Sequence, residues 1–211
     1  MMDTKEKILQ RTGELFRMMG MKSLTMDFIA ADLGISKRTL YELFSDKDSL
    51  MLHTIDYMIM ESNKRLLDLM KGTENVIEAI FVIIVEQQRQ MMESSPVIIE
   101  DFQRYIMRLK SSYYDNREKC REFSVSYTLS ERGIREGIFR EELNIDLVDT
   151  FILEMIIMFH SSHALKMMKM TRKEALENIF MPYFRGISTP TGVGLIDMYV
   201  LKINEIYKQE R

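Results

Sequence analysis

The chain has 211 residues, 46% hydrophobic and 29% charged, a balance that excludes a collagenous, disordered or disulfide-scaffold protein and leaves room for one large domain or a small and a larger one. Its single cysteine, Cys120, excludes an intramolecular disulfide and a cysteine-built metal cage. A formal net charge of −3 announces no polyanion partner, so such a partner has to be read from local placement.

The start, MMDTKEKILQ, mixes acids and bases where a secretory signal would carry a basic tip and an apolar block. The apolar runs at 79–85 and 151–159 fall well short of the roughly 20 residues that span a bilayer. A cytoplasmic protein without membrane contact is expected. Twenty methionines are the one compositional anomaly; unbranched and polarizable, they suit surfaces that repack around apolar guests.

Ile8, Leu15, Phe16 and Met19 recur at helical steps and predict a first helix over 3–19, ended by Gly20. Thr25 is an N-cap for a second helix carrying Phe28, Ile29 and Leu33 and stopping at Gly34, with Asp27 placed to favour its dipole. Ser36 caps a third, on which Leu40, Leu43 and Phe44 form the apolar stripe. Asp46 caps a long fourth helix from Lys47 to about Met70. Further helical patterns cover 76–92, 96–106, 107–132, 145–169, 173–186 and 193–208, with a loop at 185–194, RGISTPTGVG. No segment has a strand period. The expectation is an all-α protein, with a helix-turn-helix domain over 1–50 and a larger helical domain over 51–211 joined by the long fourth helix.

Two short helices around a glycine-containing turn, here GIS, are the sequence form of a helix-turn-helix, whose second helix enters the DNA major groove. Ile29, Leu33, Ile35, Leu40 and Phe44 would hold the pair together. Lys37 and Arg38 then occupy the first turn of the recognition helix, where Arg38 has the donors for guanine O6 and N7. Thr39 can meet a base or phosphate, Tyr41 a phosphate, and Thr25 and Lys47 stand at helix N-termini that favour anions. The eight bases and eight acids of positions 1–53 cancel, so charge alone does not separate this reading from a solvated face on a small bundle.

The segment LTMDFIAADLGISKRTLYELFSDKDSL, residues 24–50, resembles the DNA-binding segment of the TetR family of transcriptional regulators. The resemblance rests on Thr25, the IA at 29–30, the turn LGIS, TLYELF at 39–44 and Lys47. It implies an all-α homodimer with a small N-terminal DNA-binding domain and a larger ligand-binding domain, most members being repressors released from a palindromic operator by a small molecule. The residues matching family DNA contacts are Thr25, Lys37, Arg38, Thr39, Tyr41 and Lys47. Two departures stand out. Asp32 occupies a position where the family has a small or neutral residue, and Glu42 and Leu43 replace a common Tyr or His.

After residue 53 the resemblance weakens. Residues 130–152 and 183–192 are similar to the segments bordering the family's two dimerisation helices, which here would be 145–169 and 173–186, with Ala175, Leu176, Ile179, Phe180 and Tyr183 at interface spacing. An apolar or amphipathic effector is expected among the middle helices, at Phe81, Gln88, Phe102, Tyr105, Tyr127, Glu154, Met155 and Met158. Each of these also fits plain core, and Glu154 is the most informative because a carboxylate in an apolar run needs a partner or water.

His160 and His163 lie three apart, but no third ligand follows at a convincing spacing, and no metal or cofactor is expected. An all-helical enzyme and an effector-independent DNA binder are the competing readings. The first lacks a Glu-x-x-His pair, a P-loop, a GxGxxG and a nucleophile elbow; the second would not need some 150 residues beyond the DNA module.

Overall fold

The computed structural model describes residues 3–92, 101, 105, 108, 121–162, 165, 167–168 and 170–209, with the side chains of 91–92, 159–161, 172 and 202–209 excepted. The described elements are helical: α1 Thr4–Ser23, α2 Met26–Leu33, α3 Lys37–Leu43, α4 Lys47–Met70, α5 Val76–Met92, α6 Val125–Arg135, α7 Ile145–Ser161, α8 Arg172–Ala175, a π-helical turn Leu176–Phe180, α9 Met181–Ile187 and α10 Pro190–Gln209. None is long and apolar enough to cross a membrane.

The chain divides into two compact units, residues 1–64 with 88–117 and residues 65–87 with 118–211. This differs from the division expected at 50/51. Helix α4 continues past that point without a break, and residues from the middle of the chain pack into the first unit.

In the first unit Ile8, Leu15 and Phe16 of α1 meet Ile29, Leu40, Phe44, Leu50 and Ile55 in one core. Burying a side chain such as Phe44 is worth about 1.5–3 kcal/mol. The backbone of α1 breaks at Gly20 (φ 72°), and Met21–Ser23 add a last turn. The turn between α2 and α3 is a Schellman motif: Ile35 N donates to Ala30 O at 3.0 Å and Gly34 N to Ala31 O at 3.2 Å. It requires φ of +64° at Gly34, a conformation that a Cβ would penalise.

The caps are those read from sequence. Thr25 accepts from Phe28 N, Ser36 from Thr39 N, and Asp46 Oδ1 from Ser49 N at 2.7 Å. Each supplies an acceptor to an N–H that the helix itself leaves unsatisfied.

The second unit is built around Ile77, Ile80, Phe81, Phe139, Ile152 and Phe184. Arg132 closes the α4–α5 corner: its guanidinium donates to Met70 O and Thr73 Oγ1 through Nη1 and to Thr73 O through Nη2, each at 2.8 Å. Nε donates to Glu136 Oε1 at 2.6 Å, and Glu136 Oε2 accepts from Val76 N at 2.7 Å. One ion pair thereby satisfies the C-terminal end of one helix and the N-terminal end of the next.

Two expected helices and one expected loop change their bounds. The one expected over 107–132 is interrupted by a 3₁₀ turn at Arg121–Phe123, and Ser124 caps a new helix whose Tyr127 N it accepts. The buried Asp149 carboxylate explains the placement, accepting from Ser124 Oγ at 2.6 Å and Ser126 Oγ at 2.5 Å. Helix α7 ends at Ser161, followed by an extended Ser162, eight residues before the expected end at 169. The loop expected over 185–194 shrinks to Ser188 and Thr189, because Arg140 N donates to Ile187 O at 3.0 Å and Thr189 N to Ile138 O at 2.9 Å. Pro190 then opens α10, a first-turn position where its missing N–H costs nothing.

Candidate nucleic-acid interface

On α3, Leu40 and Phe44 are fully buried, which fixes the rotation of the helix. Lys37, Arg38, Tyr41 and Glu42 are left on the exposed side. Ser36 Oγ and Thr39 Oγ1 lie 2.8 Å apart, so the Thr39 hydroxyl is engaged with the cap of its own helix. Tyr41 is 44% exposed. Lys47 is the first residue of α4 and half-buried, and Thr25 caps α2.

Two of the eight acids of positions 1–53, Asp27 and Glu42, are paired with these bases. Lys37 Nζ meets Asp27 Oδ1 at 2.6 Å across the two helices, and that bond raises the Lys37 pKa. Arg38 Nε meets Glu42 Oε1 at 2.8 Å along α3. Exposed pairs are weak, so a phosphate can replace Asp27 on Lys37 at little cost.

Asp32, the unusual residue of α2, is explained by Arg11. The guanidinium reaches it with two bonds, Nε to Oδ2 at 2.7 Å and Nη2 to Oδ1 at 3.0 Å. Nη1 bonds Glu14 at 2.8 Å. The arginine holds the Asp32 carboxyl below its ordinary value, chiefly by hydrogen bonding. This fork fixes α2 on α1 and so sets the platform from which α3 projects. The odd carboxylate was visible in the sequence; its partner, 21 positions away, was not.

A second set of residues supports the unit from the middle of the chain. Asp101 Oδ2 accepts from Met21 N at 3.0 Å, the Tyr105 hydroxyl donates to Asp48 Oδ1 at 2.7 Å, and Arg108 Nη1 meets Asp48 Oδ2 at 2.5 Å. Positions 101, 105 and 108 share one helical face, but the face is polar, so no hydrophobic period marks it as a docking stripe. Tyr105, expected in an effector pocket, lies instead in the core of the first unit, 6% exposed.

The other expected effector residues are not all brought together. Phe81 and Met155 share the core of the second unit, where Phe81 stacks on Tyr199 with centroids 5.4 Å apart. Tyr127 carries the Arg121 guanidinium 5.4 Å from its ring centroid. Glu154 is half-buried, Met158 is 45% exposed, and Gln88 groups with the first unit. Phe102, His163 and the side chain of His160 lie outside the described residues.

Of the expected interface residues, Ala175 is 2% exposed within its own chain. Leu176, Ile179, Phe180 and Tyr183 pack, half-buried, against the core of the second unit. Exposed apolar surface is found instead on α7, at Leu147 (67%), Phe151 (50%) and Met158, and on α10, at Met198 and Leu201 (68%). The π-helical turn at Leu176–Phe180 shifts the register of 172–187 away from an unbroken helical period.

Residues 8–54 match the family described as bacterial regulatory proteins, tetR family. The chain is 26% identical over 153 residues to the HTH-type transcriptional repressor KstR2 of Mycobacterium tuberculosis (strain H37Rv), covering 69% of this chain and 74% of that one. It is 34% identical over 112 residues to the uncharacterized HTH-type transcriptional regulator YvaF of Bacillus subtilis (strain 168), covering 52% and 54%. Its fold is similar to that of the regulator FadR from Bacillus subtilis, solved with stearoyl-CoA, with a TM-score of 0.57 at 15% identity over 84% of this chain and 96% of that one. The capped, glycine-turned helix pair thus lies in a segment, residues 8–54, that matches the tetR family of bacterial regulatory proteins, and the chain is similar to transcriptional regulators that carry such a helix-turn-helix.

Proposed function

We propose that the protein is a homodimeric repressor that leaves a palindromic operator when a small apolar or amphipathic molecule binds its second unit. The observation that carries the reading is α3: a short helix whose buried Leu40 and Phe44 turn Lys37, Arg38 and Tyr41 outward from a rigid cap and turn. The DNA contacts are Thr25, Lys37, Arg38, Thr39, Tyr41 and Lys47. Similarity to a protein named as a repressor supports the direction of regulation.

The effector site belongs with the second unit, where Phe81, Tyr127, Glu154 and Met155 offer aromatic, thioether and carboxylate groups. Helix α4 is the physical link. It begins at Lys47 in the DNA-binding unit and ends at Met70 in the second, and its 24 residues span roughly 36 Å at about 1.5 Å each. A shift at its far end moves the start of the helix beside α3, and so the distance between two recognition helices that must match half-sites one turn apart.

The exposed apolar side chains Leu147, Phe151 and Leu201 support a dimer face on α7 and α10. Tyr183 borders it, its ring 4.9 Å from that of Phe151. A reader of palindromic half-sites works as a two-fold pair.

Footprinting of the purified protein on genomic fragments, including the DNA upstream of its own gene, tests the reading; no protected site would overturn it. With an effector in hand, calorimetric titration with and without operator duplex measures the coupling. The expected coupling is about 1–3 kcal/mol, and equal affinities would show that effector binding and operator binding are independent.

A further inference from the structure

Glu42 sits at the centre of the outward face of α3. At about 100° per residue, the midpoint between buried Leu40 and Phe44 lies roughly 180° from Glu42, with Arg38 about 40° to one side. In the DNA-binding reading, with α3 in the major groove, a carboxylate so placed faces the floor, where base edges lie, and is turned away from the phosphates of the walls. Its partner is Arg38. Nε of that arginine donates to Glu42 Oε1 at 2.8 Å, while Nη1 and Nη2 donate to no protein group among the described residues, on a side chain that is 88% exposed.

We propose that Glu42 is a positioning residue that sets base preference: it holds Arg38 by Nε so that the Nη1/Nη2 edge meets O6 and N7 of a guanine. Holding the guanidinium by one edge removes rotamers that would otherwise carry it to a phosphate. In the same position the carboxylate disfavours a base edge that presents only acceptors to it, and its second oxygen can accept from the N4 amine of the cytosine paired with that guanine or next to it. The inference rests on the DNA-binding reading and adds to it which residue turns a general basic contact into a guanine contact.

The test is enrichment of duplexes from a random library by full-length wild type, Glu42→Gln, Arg38→Ala and the double variant, followed by affinities for the enriched duplex and single-base changes of it. Helix content by circular dichroism checks that each variant is folded; both positions are exposed. In wild type a G·C pair in each half-site is expected to be preferred on the order of tenfold. Glu42→Gln should reduce that preference to about threefold or less at that pair alone, while its affinity for random duplex rises as a negative charge is lost. In the Arg38→Ala background, Glu42→Gln should leave base preference unchanged. A Glu42→Gln variant that binds all duplexes more tightly with the wild-type preference intact would overturn this assignment and leave DNA binding standing. Enrichment of nothing by wild type would overturn both.

Discussion

The hydroxyl of Tyr105 donates to the carboxylate of Asp48 at 2.7 Å, joining residues 57 positions apart within the DNA-binding unit. Asp48 lies in the first turn of α4, where the helix dipole also favours its charge. The Tyr105 bond first, and the Arg108 bond second, hold its carboxyl below the ordinary value of 3.8.

A depressed carboxyl stabilises the fold fully above its unfolded pKa and loses that contribution as pH falls through the folded value. Asp48→Asn should therefore be less stable than wild type at pH 7, with the difference shrinking as pH is lowered below about 4. Urea midpoints between pH 7 and pH 3 check this, and a difference independent of pH would remove the linkage. Tyr105→Phe, which deletes the bond and keeps the ring, should cost about 1 kcal/mol at neutral pH.

The Arg11–Asp32 fork is partly exposed, so its worth is modest. A double-mutant cycle with Arg11→Ala and Asp32→Ala should give a small favourable coupling that weakens with salt. Both single variants should lose operator affinity, because α2 is then less firmly seated on α1. Affinity unchanged in both would show that the fork serves stability alone.

The Arg132–Glu136 pair is better buried, with side-chain exposures of 15% and 24%. Arg132→Met keeps much of the volume but leaves Met70 O and Thr73 O without their donor and Glu136 without its cation. A loss of about 3 kcal/mol is expected, read as a lowered urea midpoint.

Two helical glycines mark close approaches. A Cβ on Gly133 would lie 2.1 Å from the Phe139 ring, and one on Gly192 would lie 2.4 Å from the Ile138 carbonyl oxygen. Alanine would gain about 1 kcal/mol of helix propensity at either site and lose more to overpacking, typically about 1–3 kcal/mol. Gly192→Ala should suffer more, since backbone yields less than a ring. Thermal melting of the two variants decides the order.

If α7 and α10 form the dimer face, Phe151→Asp or Leu201→Asp would bury an unpaired charge there, a penalty of several kcal/mol. Light scattering should find these variants folded and monomeric. A folded Phe151→Asp dimer would move the interface elsewhere.

The sequence by itself determined the helix starts and the recognition turn. Thr25, Ser36, Asp46 and Gly34 act on N–H and C=O groups no more than about four residues away, so their effect can be read without knowing the fold. The range expected for α5, 76–92, is the observed one; of the expected stripe on α3, Leu40 and Phe44 are buried and orient the helix, while Leu43 is exposed. Tertiary structure alone decided which distant groups those helices meet. Asp32 needed Arg11, Asp48 needed Tyr105 and Arg108, and the bonds from Arg140 and Thr189 shortened an apparent loop to two residues. A capping signal is local because a helix end lacks partners of its own; a polar side chain between helices is assigned its partner only when packing brings the two together, and no sequence period records that meeting.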